Sequence, residues 1–131
     1  MPVIVDTNVI SDLLFADKQW LQWSSERLLE HHGQLHITPA IYAELCYCAE
    51  SAAEVDAILK TLELTYTETP RTGLYLAAQA YKTYRTRGGT KTAPLPDFLI
   101  GGHAAALKLP LITRDVARYR TYFPQIQLIH P

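Results

Sequence analysis

Apolar residues recur along the chain in two rhythms. Short aliphatic runs at residues 3–5, 35–38, 64–66, 111–113 and 126–129 have the length and β-branched content of strands. Val3, Ile4 and Val5 are three consecutive β-branched residues, the pattern of a strand buried on both faces inside a parallel sheet. Between these runs the spacing lengthens to the helical period. Residues 8–16 predict a short helix with Val9, Leu13, Ile10 and Leu14 inward, and residues 18–32 a second with Leu21, Leu28 and Leu29 as its core side. Thr38 and Pro39 open a third, as N-cap and first-turn proline, and Ile41, Glu44, Leu45 and Cys48 form its stripe. Val55, Ile58, Leu59 and Leu62 repeat that stripe. After Thr72 and Gly73 another helix carries Leu74, Ala77, Ala78 and Tyr81 inward, and a last one starts at Pro94–Asp97 with Gly101, Ala104 and Ala105 as a small face close to the sheet. Strands alternating with helices predict an α/β fold, a mostly parallel sheet of about five strands between helical layers.

Length and composition narrow this. The 131 residues suffice for one domain, residues 1–131, with a sizeable core, and 48% apolar with 19% charged residues is a globular balance. No apolar run reaches the roughly 20 residues that span a bilayer, and the N-terminus lacks a basic segment followed by an apolar one, so a cytoplasmic protein is expected. Cys46 and Cys48, two apart on a helix, point about 200° apart and read as reduced packing residues. The net charge of −1 conceals an asymmetry. Through Glu68 there are 11 acids against 3 bases; from Thr69 onward there are 9 bases, opposed only by Asp97 and Asp115. A basic half suits a polyanion, and the basic, glycine-containing segment with Arg85, Arg87 and Lys91 is a candidate for phosphate contacts.

The acids that interrupt apolar patterns are the candidate chemistry. Asp6 and Asp115 stand just past the ends of two predicted parallel strands, where such sheets bind ligands. Glu44 lies on a core-facing stripe and Asp97 in a helix's first turn. Asp97 alone also reads as an N-cap, and Glu44 as an edge residue bending to solvent. If Asp6, Glu44, Asp97 and Asp115 share one cleft, their repulsion calls for cations, since unit charges about 4 Å apart repel by roughly 4 kcal/mol at an effective dielectric near 20. Oxygen-only ligands select magnesium or manganese, as one ion or as two, suited to in-line displacement at a phosphodiester. Thr7 and Thr113 can orient the carboxylates, and Arg114 can neutralise phosphate charge.

The pieces V-I-V-D-T-N at 3–8, T-P-A-I-Y-A-E-L at 38–45, L-P-D-F-L-I-G-G-H-A at 95–104 and L-I-T-R-D at 111–115 occur in the order of a known family. The chain resembles a PIN domain, most closely a VapC-type toxin ribonuclease of a toxin–antitoxin pair. The resemblance implies a PIN-like three-layer α/β/α sandwich and a metal-binding catalytic quartet of Asp6, Glu44, Asp97 and Asp115. Thr113 matches the family's hydroxyl position, with Thr7, Asn8 and Arg114 in support. It also implies a magnesium- or manganese-dependent endoribonuclease acting on RNA, a homodimer, and a VapB-like antitoxin that wraps the toxin. Leu13, Leu14, Trp20 and Trp23 are then candidates for the antitoxin groove. Gly101 and Gly102 depart mildly from the alanine often found there.

Competing readings fit less well. A haloacid-dehalogenase-like phosphatase requires D-x-D, and position 8 is Asn8. A receiver-type phosphoacceptor lacks its central aspartate and downstream lysine. A housekeeping PIN nuclease outside a toxin–antitoxin pair and a non-catalytic PIN-like binding module are the remaining alternatives.

Overall fold

The computed structural model describes residues 1–90 and 95–131. Lys91 and Pro94, both singled out above, lie outside the described residues. The elements in chain order are β1 (Val3–Val5), α1 (Thr7–Leu14), α2 (Leu21–Glu30), β2 (Leu35–Ile37), α3 (Pro39–Cys48), α4 (Ala52–Leu62), β3 (Thr65–Tyr66), α5 (Arg71–Thr86), α6 (Leu95–Leu107), β4 (Leu111–Ile112), α7 (Ala117–Tyr122) and β5 (Leu128–Ile129). The strands form one sheet in the order β3-β2-β1-β4-β5, and every neighbouring pair is parallel. It is an α/β fold, the sheet flanked by helices as in the PIN-like architecture.

β1 is central because it is apolar on both faces. Val3, Ile4 and Val5 are all buried, with Ile4 opposite His36 on one side and Leu111 on the other. From β1 the chain moves outward to β2 and β3, then returns to pair β4 on the other side and continues to β5. The order therefore reverses between β1 and β4, and a crevice opens there beyond the strands' carboxyl ends. Asp6 and Thr113 follow these two strands directly.

Helical capping is local and legible. Thr38 caps α3 by accepting from the Ile41 N–H at 3.2 Å, with Pro39 in the first turn. Asp6 caps α1 by accepting from the Thr7 N–H at 2.8 Å.

Several inward faces differ from the apolar pattern. α2 buries Ser24 and Leu28, whereas Leu29 is 77% exposed and Leu21 is also exposed. Ser24 replaces them because it serves a buried acid, Asp12, described below. α2 also starts at Leu21, not near Lys18, because Asp17 holds the preceding turn by accepting from Gln19 N–H and Trp20 N–H. α5 turns Gly73, Ala77 and Ala80 inward and leaves Leu74 and Ala78 exposed. Of the predicted small face of α6, Gly101 packs against the Phe123 ring, and the close backbone approach of α6 to α5 is made by the adjacent Gly102. A Cβ on Gly102 would run into the Gly73 carbonyl oxygen and stand 2.9 Å from Ala77 N. Leu14, expected inward, is exposed, while Val9 and Ile10 are fully buried. The last strand shrinks to Leu128–Ile129. Helix α7 was not signalled by the apolar pattern; it buries Tyr119.

Candidate active site

The four acids come from four places around the crevice. Asp6 ends β1, Glu44 is mid-α3, Asp97 is in the first turn of α6 and Asp115 stands between β4 and α7. Their mutual influence is electrostatic as well as topological. The charge of Asp97 pushes up the pKa of both Asp6 and Glu44, and Asp115 does the same to Asp97.

Asp6 is the fixed centre. It is 5% exposed, and burial pushes its carboxyl up to about 6. Hydrogen bonds oppose that rise. Oδ2 accepts from Thr113 Oγ1 at 2.8 Å and from the Tyr119 hydroxyl at 3.1 Å, while Oδ1 accepts from the Thr7 N–H. Burial also raises Glu44, against the hydrogen bond from Thr7 Oγ1 to its Oε1 at 2.7 Å. Asp97 is raised by burial too, against the Arg118 guanidinium, which donates from Nη1 to Oδ2 at 2.8 Å. Tyr119, buried beside Asp6, is held well above the ordinary tyrosine range by desolvation and the surrounding acids.

Two turns are knitted together around this centre. Thr113 Oγ1 also accepts from the Asp115 N–H at 3.0 Å, and Asn8 Nδ2 approaches it at 3.4 Å. Asn8 Oδ1 accepts from the Arg114 N–H at 3.2 Å. Thr7, Asn8 and Thr113 thus tie α1 to the segment after β4 and orient Asp6 and Glu44.

Arg114 corrects the phosphate-contact expectation. Its Nε and Nη2 donate to Asp12 Oδ2 and Oδ1 at 2.8 and 2.9 Å, Ser24 Oγ donates to the same Oδ2 at 2.5 Å, and Trp20 lies under the guanidinium at 5.3 Å. Asp12 is 2% exposed, and an unpaired charge there would be costly, so Arg114 is committed to it. The arginine that reaches the acids is Arg118. Neither it nor Tyr119 carries a signal in the sequence, because their partners, Asp97 and Asp6, lie 21 and 113 residues away.

Arg85 and Arg87 sit at the exposed end of α5. The four groove candidates do not converge. Trp20 and Trp23 are half-buried, edge to face at 6.4 Å, with Arg114 and Arg27 over them. Leu13 lines a hollow with Leu28, Leu29 and Leu62. Leu14 lines a different cleft, of about 310 Å³, with Phe15, Leu45 and Ile58, and this one opens onto Thr7 and Glu44. Cys46 and Cys48 are unbridged.

Among the described residues, no group of three or more His, Cys, Asp or Glu is drawn together tightly enough to hold a metal ion as it stands. The donor chemistry nevertheless suits a hard divalent cation. The set is all oxygen, and Asp6, Glu44 and Asp97 are each held above the ordinary carboxylate range, chiefly by burial and then by the charge of a neighbouring acid. Among the described residues, the cation already inside the cluster is the Arg118 guanidinium on Asp97.

The family model described as PIN domain matches residues 3–124. Among solved structures, DNA-bound VapBC from Salmonella typhimurium is similar with a TM-score of 0.74 at 16% identity, covering 99% of this chain and 98% of that one. VapBC2 from Rickettsia felis, bound to a DNA fragment from its promoter, gives 0.73 at 16% identity with the same coverage. VapBC-1 from nontypeable Haemophilus influenzae gives 0.72 at 20% identity, again over 99% and 98% of the two chains. No curated protein matches the sequence.

Proposed function

Because the chain belongs to the PIN domain family, we propose that it is a metal-dependent endoribonuclease acting as the cytoplasmic toxin of a toxin–antitoxin pair. One observation carries the nuclease reading. Asp6, Glu44 and Asp97 are all lifted by burial beside the point where the strand order reverses, and the charge of Asp97 acts on both Asp6 and Glu44 and that of Asp115 on Asp97. Such a cluster is unfavourable without a divalent ion and useful with one.

Asp6, Glu44, Asp97 and Asp115 would hold magnesium or manganese, as one ion or two, which when bound supplies Lewis acidity for displacement at a phosphodiester. The remaining roles belong to the chain itself. Thr113 and Tyr119 fix the rotamer of Asp6, and Thr7 fixes Glu44. Arg118 keeps a positive charge beside Asp97, where the charge of a substrate phosphate can be met. Arg85 and Arg87 extend the positive surface.

The toxin assignment draws on the VapBC complexes to which the fold is similar. The cleft of Leu14, Phe15, Leu45 and Ile58, adjoining Glu44, suits an apolar segment of a VapB-like antitoxin. The homodimer implied by the resemblance belongs to the same proposal and is read by light scattering.

The test is internal cleavage of RNA by purified protein, with manganese or magnesium and with chelator. Cleavage is expected only with metal, and Asp6→Asn and Asp97→Asn should each abolish it. Undiminished cleavage by both variants would remove this mechanism. A short neighbouring reading frame encoding a DNA-binding fold with a flexible tail would support the toxin role; an isolated gene would oppose it.

A further inference from the structure

The two flanks of the carboxylate cluster differ in chemistry. On the α1/α3/α4 side, the described residues lining the cleft include Glu44 and Glu54 and no Lys or Arg. On the α5/α7 side, two arginines flank a pair of tyrosine rings. Arg118, paired with Asp97, lies 5.6 Å over the Tyr84 ring. Tyr84 meets Tyr122 edge to face at 6.1 Å, and Tyr122 in turn carries the exposed Arg87 at 5.7 Å. Two open clefts follow this line. One, of about 400 Å³, reaches from Asp115 and Arg118 to Tyr122; the next, of about 280 Å³, shares Tyr122 and Thr121 and continues to Arg87.

We infer that a single-stranded stretch of the RNA runs from the carboxylates over this α5/α7 flank, along Arg118, Tyr84, Tyr122 and Arg87, and not over the α1/α3/α4 flank. The inference rests on the nuclease reading for its substrate class and adds the path. Three physical arguments support it. A polyanion is repelled by a cleft whose described residues present two acids and no base, and is attracted to one edged by arginines. The half-buried Tyr122, which lines both clefts, offers its exposed ring to unpaired bases, and an arginine laid on a ring is held ready for phosphate at little entropic cost. The duplex form is disfavoured, because its bases are stacked on one another and present no free face to Tyr122. Phe98 belongs to the core beneath this line and takes no part, being fully buried.

The experiment separates binding from cleavage. Affinity for a fluorescent oligouridine of about 12 nucleotides, a length within the span of single-strand sites, is measured by anisotropy in chelator across a salt series. Cleavage of the same RNA is followed separately in manganese. Arg87→Ala is expected to weaken binding about fivefold or more and to lower the salt slope by about 1. Tyr122→Ala should weaken it at least as much, while Tyr122→Phe, which keeps the ring, restores affinity. Arg71→Ala removes an equal charge at the far end of α5 and should change affinity less than about twofold. Equal losses in Arg71→Ala and Arg87→Ala, or no loss in either Arg87→Ala or Tyr122→Ala, overturn the path, even if the unaltered protein cleaves RNA. Absence of cleavage with any divalent metal, with binding still dependent on Arg87 and Tyr122, overturns the nuclease reading and leaves the path standing.

Discussion

At the scale of single residues, Asp6 shows how a site can oppose the stability of its own fold. Burial lifts its carboxyl from an ordinary 3.8 to about 6, so the folded chain binds its proton more tightly than the unfolded chain does. The resulting stabilisation is fully present below about 3.8 and is lost as pH rises through about 6. Above both values the ionised form costs the fold about 3 kcal/mol, from the difference of roughly two units at 1.36 kcal/mol each. Glu44 and Asp97 are shifted in the same direction and add to the effect. Asp6→Asn removes the ionisation, yet its side-chain oxygen can still accept from the Thr7 N–H. In chelator at pH 8 this variant is therefore expected to be more stable than the parent by about 1–3 kcal/mol, a gain largely absent at pH 4. Urea denaturation at the two pH values measures it. A variant less stable at pH 8 would mean that the hydrogen bonds from Thr113 and Tyr119 to the carboxylate outweigh its desolvation.

At the scale of elements, what the sequence disclosed depended on whether a partner was needed to interpret it. β1 was readable because three β-branched residues in a row leave no face for solvent, and the cap of α3 was readable because capping involves neighbours in sequence. Glu44 stood out by interrupting an apolar stripe. Faces defined by another element were not readable. Leu29 and Leu74 have the right period but point outward, because the inner face of α2 is set by Ser24 meeting Asp12 and that of α5 by its glycine contact with α6. Arg114 was misread for the same reason, since Asp12, its partner, lies 102 residues away in the chain. The six-residue α7 is too short for a period to be recognised, so Arg118 and Tyr119 went unseen. The α5–α6 contact is open to a direct test. Gly102→Ala must push backbone from backbone at Gly73 and Ala77, with no flexible side chain to yield, and is expected to cost about 3 kcal/mol or more. Thermal melts of the variant measure this. A cost under about 0.5 kcal/mol, the size of an ordinary surface substitution, would mean that the two helices part freely.

At the scale of the whole molecule, the reversal of strand order coincides with a division of charge. The segment through Glu68, with 11 acids and 3 bases, supplies β1, β2 and β3; the segment from Thr69 supplies α5, α6, β4, α7 and β5, with 9 bases and 2 acids. The crevice between β1 and β4 lies on that boundary, and both acids of the basic segment, Asp97 and Asp115, belong to it. A divalent ion placed there neutralises a local excess that the fold otherwise carries. Binding to the folded chain alone should therefore stabilise it by about 2.7 kcal/mol at a hundredfold excess of ligand over the dissociation constant. For a domain of this size that is a rise in melting temperature of roughly 10 °C. Because protons compete for the raised carboxylates of Asp6, Glu44 and Asp97, the rise should be larger at pH 8 than at pH 5. Melting in graded manganese, against chelator, reads both quantities. Asp97→Asn should lose the rise while Glu30→Gln, an exposed acid on α2, retains it. A rise that persists in both Asp6→Asn and Asp97→Asn would place the ion elsewhere on the acidic segment and detach it from the crevice.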